Sequence, residues 1–210
     1  MSHPLNSPKT LLVEGKDDLY VVANLCKGAG LPDRTFWIKD KEGYEKLIGD
    51  LEVELQASDL QYLGILVDAD LDAVNRWIAL RSQLVAAGYA NVPPQPNPAG
   101  IVLRQTGKPD VGVWIMPDNT LPGMLEDFVV HLVPDGDLLW PRVQTCVAQI
   151  PREERRFPEH HLSKAHIHTW LAWQKVPGKP MGLAINATYL TSGAPQVTLF
   201  IEWLRRLFQI

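Results

Sequence analysis

Two carboxylates one residue apart, Asp68 and Asp70, follow the apolar run "YLGILV" (62–67) and precede the amphipathic stretch "LDAVNRWIALRSQLVAAG" (71–88). Glu14 closes a second apolar run, "TLLV" (10–13), and Gly15 behind it lets the chain turn. Asp118 stands behind a third, "VGVWIMP" (111–117). Side chains alternate along a strand, so Asp68 and Asp70 are expected to face one side. In open parallel sheets, ligands bind beyond the carboxyl ends of the strands. Acids delivered there from three strands repel one another and raise each other's pKa unless a cation sits among them. A hard divalent ion with oxygen ligands, Mg²⁺ or Mn²⁺, suits such a set. The plainer alternative is an exposed Asp68 and a helix cap from Asp70 or Asp72.

The elements that would position these acids follow from the hydropathy pattern. Strands are expected at 10–14, 34–39 and 62–68, and helices at 17–30, 43–56 and 71–88, the first capped by Asp17 or Asp18. This alternation implies an α/β fold with a mostly parallel sheet and helices over its faces. The Pro-rich stretch "NVPPQPNPAG" (91–100) reads as a loop, and "IVLRQTGKPDVGVWIMPD" (101–118) as a β-hairpin insertion. Helices are expected at 122–133, 137–149, 160–174 and 196–208. The organisation is then a disordered tail over 1–9, an α/β core over 10–133, and a helical C-terminal extension over 134–210 packed on that core.

With 210 residues, 46% hydrophobic and 21% charged, the chain has the composition of a soluble globule that folds without staples. No run reaches the length of a membrane span, so no membrane partner is expected. The opening "MSHPLNSPKT" lacks an apolar secretion core, and a cytoplasmic location is expected. Cys26 and Cys146, not at metal-ligand spacing, read as small buried hydrophobes. Residues 1–140 hold 11 Lys/Arg against 20 Asp/Glu, and residues 141–210 hold 9 against 4. Solvated helix faces account for that split as well as an acidic, cation-binding part beside a part that tolerates a polyanion.

"LLVEGKDD" followed by "LVDAD" resembles the Toprim domain of topoisomerases, primases and OLD-type nucleases. The wider set "VEGKDD", "ILVDAD", "MPDN" with "GMLED", and "KAHIHTWLA" is similar to a group of stand-alone Toprim-like proteins. The core of the resemblance covers about residues 10–130. It implies a Toprim-like, Rossmann-like fold and a Mg²⁺-dependent nuclease acting on DNA or RNA, of the kind found in defence and repair. It assigns Glu14 to the Toprim glutamate, Asp68 and Asp70 to the D-x-D pair, and Asp18 to the acid four residues after the glutamate. Glu126 and Lys164 take the places of the later acid and of a lysine on a following helix, and Asp118 and Asp127 are additional acids nearby. Glu14, Asp68, Asp70 and Lys164 would then be catalytic, and Glu14, Asp18, Asp68, Asp70 and Glu126 would ligate metal. The chain has no Walker A loop, so an ATPase of the kind found beside such nucleases would be a separate partner.

Lys164 also fits an ordinary surface position on an amphipathic helix. Arg152, Arg155 and Arg156 can contact backbone phosphates, although Glu153 and Glu154 dilute the patch. The histidines of "EHHLSKAHIHTW" (159–170) lack a cysteine or acid at zinc-ligand spacing. Trp170, Trp173 and Trp203 have apolar neighbours and are expected in the core. Two other functions fit the pattern: a non-catalytic metal- or nucleic-acid-binding or regulatory module, and a haloacid-dehalogenase-like phosphatase. The phosphatase would leave Glu14 without a role, and "DGDLLWP" (135–141) lacks its second acidic pair.

Overall fold

A computed structural model describes residues 7–210. Five strands, β1 (Lys9–Val13), β2 (Trp37–Asp40), β3 (Tyr62–Asp68), β4 (Ile101–Leu103) and β5 (Asp110–Met116), form one sheet in the order β2-β1-β3-β5-β4. All neighbours run parallel except β4, which is antiparallel to β5. The expected hairpin exists, but it is not an insertion. Its second arm, β5, pairs with β3 over seven residues and lies inside the sheet. Of the expected tail over residues 1–9, residues 1–6 lie outside the described residues. Pro8 and Lys9 are structured, since the Pro8 carbonyl accepts from Gln61 and Tyr62 and Lys9 begins β1.

Helix α1 (Lys16–Gly28) covers one face of the sheet, and α2 (Tyr44–Leu55) and α3 (Ala73–Ala86) cover the other. Strand alternation sorts the core accordingly. Leu11, Val13, Leu66 and Trp114 point to the first face, and Leu12, Ile65, Val67 and Val113 to the second. Four further helices follow: α4 (Leu125–Val130), α5 (Trp140–Ala148), α6 (Leu162–Ala172) and α7 (Met181–Asn186). The last is α8 (Pro195–Phe208), whose Phe200, Trp203, Leu204, Leu207 and Phe208 are fully buried against the first face. Residues 134–210 therefore complete the same core as β1 and β3 and have no separate one. The paired glycines Gly64 and Gly112 make room for α8. A Cβ on Gly112 would meet Leu207 Cδ2 at 2.6 Å.

Trp173 and Cys146 are exposed, contrary to expectation, while Trp170 and Trp203 are buried as expected. Helix α7 was not expected. It packs on α1 so closely that a Cβ on Gly182 would stand 2.7 Å from the Tyr20 backbone. Backbone cannot yield as a flexible side chain can, so Gly182→Ala is expected to destabilise the protein by about 1–3 kcal/mol. Chemical denaturation checks this, and an unchanged midpoint would mean that α1 and α7 are not in this contact.

Candidate metal and active site

Strands β1 and β3 are neighbours, yet their connections leave in opposite directions. The chain runs from β1 through α1 to β2, and from β3 through α3 toward β4. Such a switch point opens a crevice beyond the strand ends. Glu14 follows β1 there and Asp68 ends β3, and the Asp68 N–H donates to Glu14 Oε1 at 2.8 Å.

Each remaining acid arrives by its own device. Gly15, not Asp17 or Asp18, is the N-cap of α1. Asp18 sits in the first turn of α1 and accepts from the Gly15 N–H at 2.9 Å, and its carboxylate is buried. Asp68 Oδ1 accepts from the Leu125 N–H, the first of α4, at 2.8 Å. Glu126 is the next residue and is buried. Lys164 of α6 reaches it at 2.9 Å, and His168, one turn on, stands 3.8 Å from the same Oε1.

The electrostatics follow from burial and crowding. Burial pushes the Asp18 carboxyl up to about 7, helped by the Glu14 and Glu126 charges. Burial also raises Asp68 well above the usual carboxylate range, with Asp18, Glu14, Glu126 and Asp70 adding to it. Glu14 is raised by burial as well, against the opposing pull of the Asp68 N–H and Arg76. Glu126 is the exception. Burial pushes it up, but His168 and Lys164 outweigh that and hold it below the usual range.

Asp70 departs from expectation. The strand ends at Asp68, and Asp70 adopts φ +52°, so strand alternation no longer directs its side chain. Its backbone pairs instead with Gly123, and its half-exposed carboxylate is salt-bridged to Arg76, which stacks on Tyr44. Its charge still acts on Glu14 and Asp68, which places it at the rim of the group. Asp72 is the N-cap of α3.

Asp118 and Asp127 have local work. Asp118 Oδ1 accepts from the Thr120 N–H and hydroxyl and the Leu121 N–H, closing a turn. Asp127 accepts from the Met124 N–H at 2.8 Å and the Ser163 hydroxyl at 2.5 Å. It thus ties α4 to α6 beside Lys164. Arg155 is engaged by the Ile150 carbonyl and Glu159, whereas Arg152 and Arg156 are exposed.

Arg76, Ser163 and His168 were missed as members of the site. His168 had a signal in the sequence, because it lies four residues after Lys164 and so shares its helix face. An open cavity of about 600 Å³ lies elsewhere, along β4 beside Pro93, Asn97, Arg104 and Arg206, and no acid lines it.

Among the described residues no three His, Cys, Asp or Glu side chains stand with their donors already set to hold a metal ion. The chemistry of the donor set nevertheless fits a hard cation: four neighbouring carboxylates, three of them with pKa values raised, offer only oxygen ligands. Among the described residues no helix is long and apolar enough to cross a membrane. Comparison with the curated proteins and with the solved structures gave no match. Residues 8–209 match one family model, and the chain belongs to that family, described as "Protein of unknown function (DUF3226)".

Proposed function

We propose that this chain is a Toprim-like, Mg²⁺-dependent phosphodiester hydrolase acting on nucleic acid. The observation that carries the reading is the gathering of Glu14, Asp18, Asp68 and Glu126 at the β1/β3 switch point, where burial and mutual repulsion raise three of the four. These four would hold the ion, with Asp70 at the rim. Bound Mg²⁺ supplies Lewis-acid charge at a phosphodiester.

The chain's own groups do the rest. The Asp68 and Leu125 N–H groups fix one oxygen each of Glu14 and Asp68, leaving the second oxygen of each carboxylate for a ligand. Lys164 is 44% exposed, so its ammonium can reach a phosphate oxygen outside while its charge still acts on Glu126 inside. Electrostatic stabilisation of that kind is commonly the largest catalytic contribution. Ser163, held by Asp127, fixes the start of α6 and hence the place of Lys164.

The test is cleavage of single- and double-stranded DNA and RNA with Mg²⁺ or Mn²⁺, with and without chelator, alongside calorimetric titration of Mg²⁺. Metal-dependent cleavage with saturable Mg²⁺ binding is expected. Binding without any cleavage would remove the enzymatic part of the reading and leave a binding module. No binding at all would remove the site.

A further inference from the structure

Five large apolar side chains line one stripe of the surface. Leu71, Val74, Ile78 and Val85 are 68%, 51%, 54% and 47% exposed, and Leu121 is 58% exposed. On α3, Val74, Ile78 and Val85 (i, i+4, i+11) share one face of the helix, and Leu71 stands just before its N-cap, Asp72. Leu121 joins them because the Asp70–Gly123 backbone pair, with both N–H···O contacts at 2.8 Å, brings the 121–123 loop beside Leu71. Soluble surfaces seldom leave so continuous an apolar band uncovered.

We propose that this face of α3 is the two-fold interface of a homodimer, with two copies of α3 packed antiparallel. Charge selects this occupant. The exposed α3 residues beside the stripe are Asn75, Ala79, Ser82 and Ala86, none of them charged. Arg81, at its flank, turns its guanidinium onto the Val92 and Pro93 carbonyls. The ends of the stripe differ in sign. Asp72 carries the negative charge at the N-terminal end of α3, where Asp70 is paired with Arg76, and at the other end the Lys108 ammonium sits 2.7 Å from the Ala87 carbonyl. Antiparallel pairing sets the acidic end of one copy against the basic end of the other and opposes the helix dipoles, whereas parallel pairing sets acid against acid. The small residues Ala79 and Ser82 let the helices approach near Ile78, where the axis passes. Arg81, the one cation between Ile78 and Val85, is turned onto backbone carbonyls, so the stripe offers a polyanion no outward-facing row of positive charge. The contact lies at the small end of interface sizes, so half-dissociation is expected on the order of 10 µM.

Sedimentation velocity on the full chain from about 1 to about 200 µM tests this. A monomer–dimer transition is expected, and Ile78→Lys should weaken it at least about tenfold, with thermal melting unchanged at about 1 µM, where both proteins are monomers and Ile78 is exposed. A monomer throughout, or a dimer indifferent to Ile78→Lys, overturns the proposal. The orientation has its own test, in a Cys146→Ser background. Ile78→Cys should form a symmetric disulfide on mild oxidation. Val85→Cys should not, because antiparallel pairing places its two copies about 20 Å apart. Ready linkage through Val85→Cys, or none through Ile78→Cys, rules out this pairing.

Discussion

Asp68→Asn is expected to lower metal-dependent cleavage on the order of a hundred- to a thousandfold while making the metal-free protein more stable at pH 8. In the proposed hydrolase the loss follows from the place of Asp68 between Glu14 and α4, where its charge would help to hold the ion. The gain follows from the same crowding. An acid whose folded-state pKa is raised weakens the fold once it is ionised, and Asp68 and Asp18 are both raised, Asp18 from 3.8 to about 7. Between those values the folded chain binds the Asp18 proton more tightly than the unfolded chain does. Stability therefore rises as pH falls from about 7 toward 4, and it is lowest above 7. Asn keeps the acceptor for the Leu125 N–H and removes the charge, so its melting temperature in chelator at pH 8 should exceed the wild type's by about 5 °C. Mg²⁺ should raise the wild type's melting temperature and not the variant's. Calorimetric melting at pH 5 and pH 8, with chelator and with Mg²⁺, reads every part of this. A variant that melts lower than wild type in chelator at pH 8 would show that the acids do not crowd one another.

How far this site could be read beforehand depends on where each signal lives. The β1 and β3 acids were legible because an apolar run ending in an acid is a local pattern, and strand–helix alternation set the parallel order around it. The direction of Asp70 was not legible because the two-residue period holds only while the strand lasts, and here the strand stops at Asp68. Asp118 carried a local signal of its own, since an acid two residues before Thr120 in "MPDNT" suits a side-chain-closed turn. The pairing of Asp70 with Arg76 and the tie between Asp127 and Ser163 were not legible. The first needs a left-handed residue, and the second joins helices 36 residues apart in the chain. Helix α7 is short and carries Gly182, which weakens its periodic signal, yet the same glycine makes its approach to α1 feasible. The hairpin was found but its second arm was misplaced, because "VGVWIM" is apolar on both faces, as a central strand must be, and nothing local names its neighbour.

Lys164→Met reverses the behaviour of Glu126. In the wild type its lowered pKa makes Glu126 a source of stability above the ordinary glutamate range, lost only as pH falls below about 4.5. Asp18 has the opposite sign, so the metal-free wild type should be most stable near pH 5, where Asp18 is protonated and Glu126 is still paired. Without the ammonium, Glu126 keeps its burial and its acidic neighbours Asp18 and Asp68 but loses its nearest cation. Breaking a fully buried pair costs about 3–5 kcal/mol. Lys164 is 44% exposed, so solvent screening reduces the expected loss at pH 8 to about 2 kcal/mol. The deficit should shrink toward pH 5 as the acids take up protons, and Mg²⁺ should remove much of it by replacing the missing charge. Cleavage should stay impaired even with Mg²⁺ saturating, because the ion cannot take the place of the outward-facing ammonium at a phosphate oxygen. Urea denaturation at pH 5 and pH 8, with and without Mg²⁺, together with cleavage rates at saturating metal, separates the two roles. Full activity in a variant destabilised only without metal would confine Lys164 to holding the fold. An unchanged stability at pH 8 would mean that the Lys164–Glu126 pair does not form.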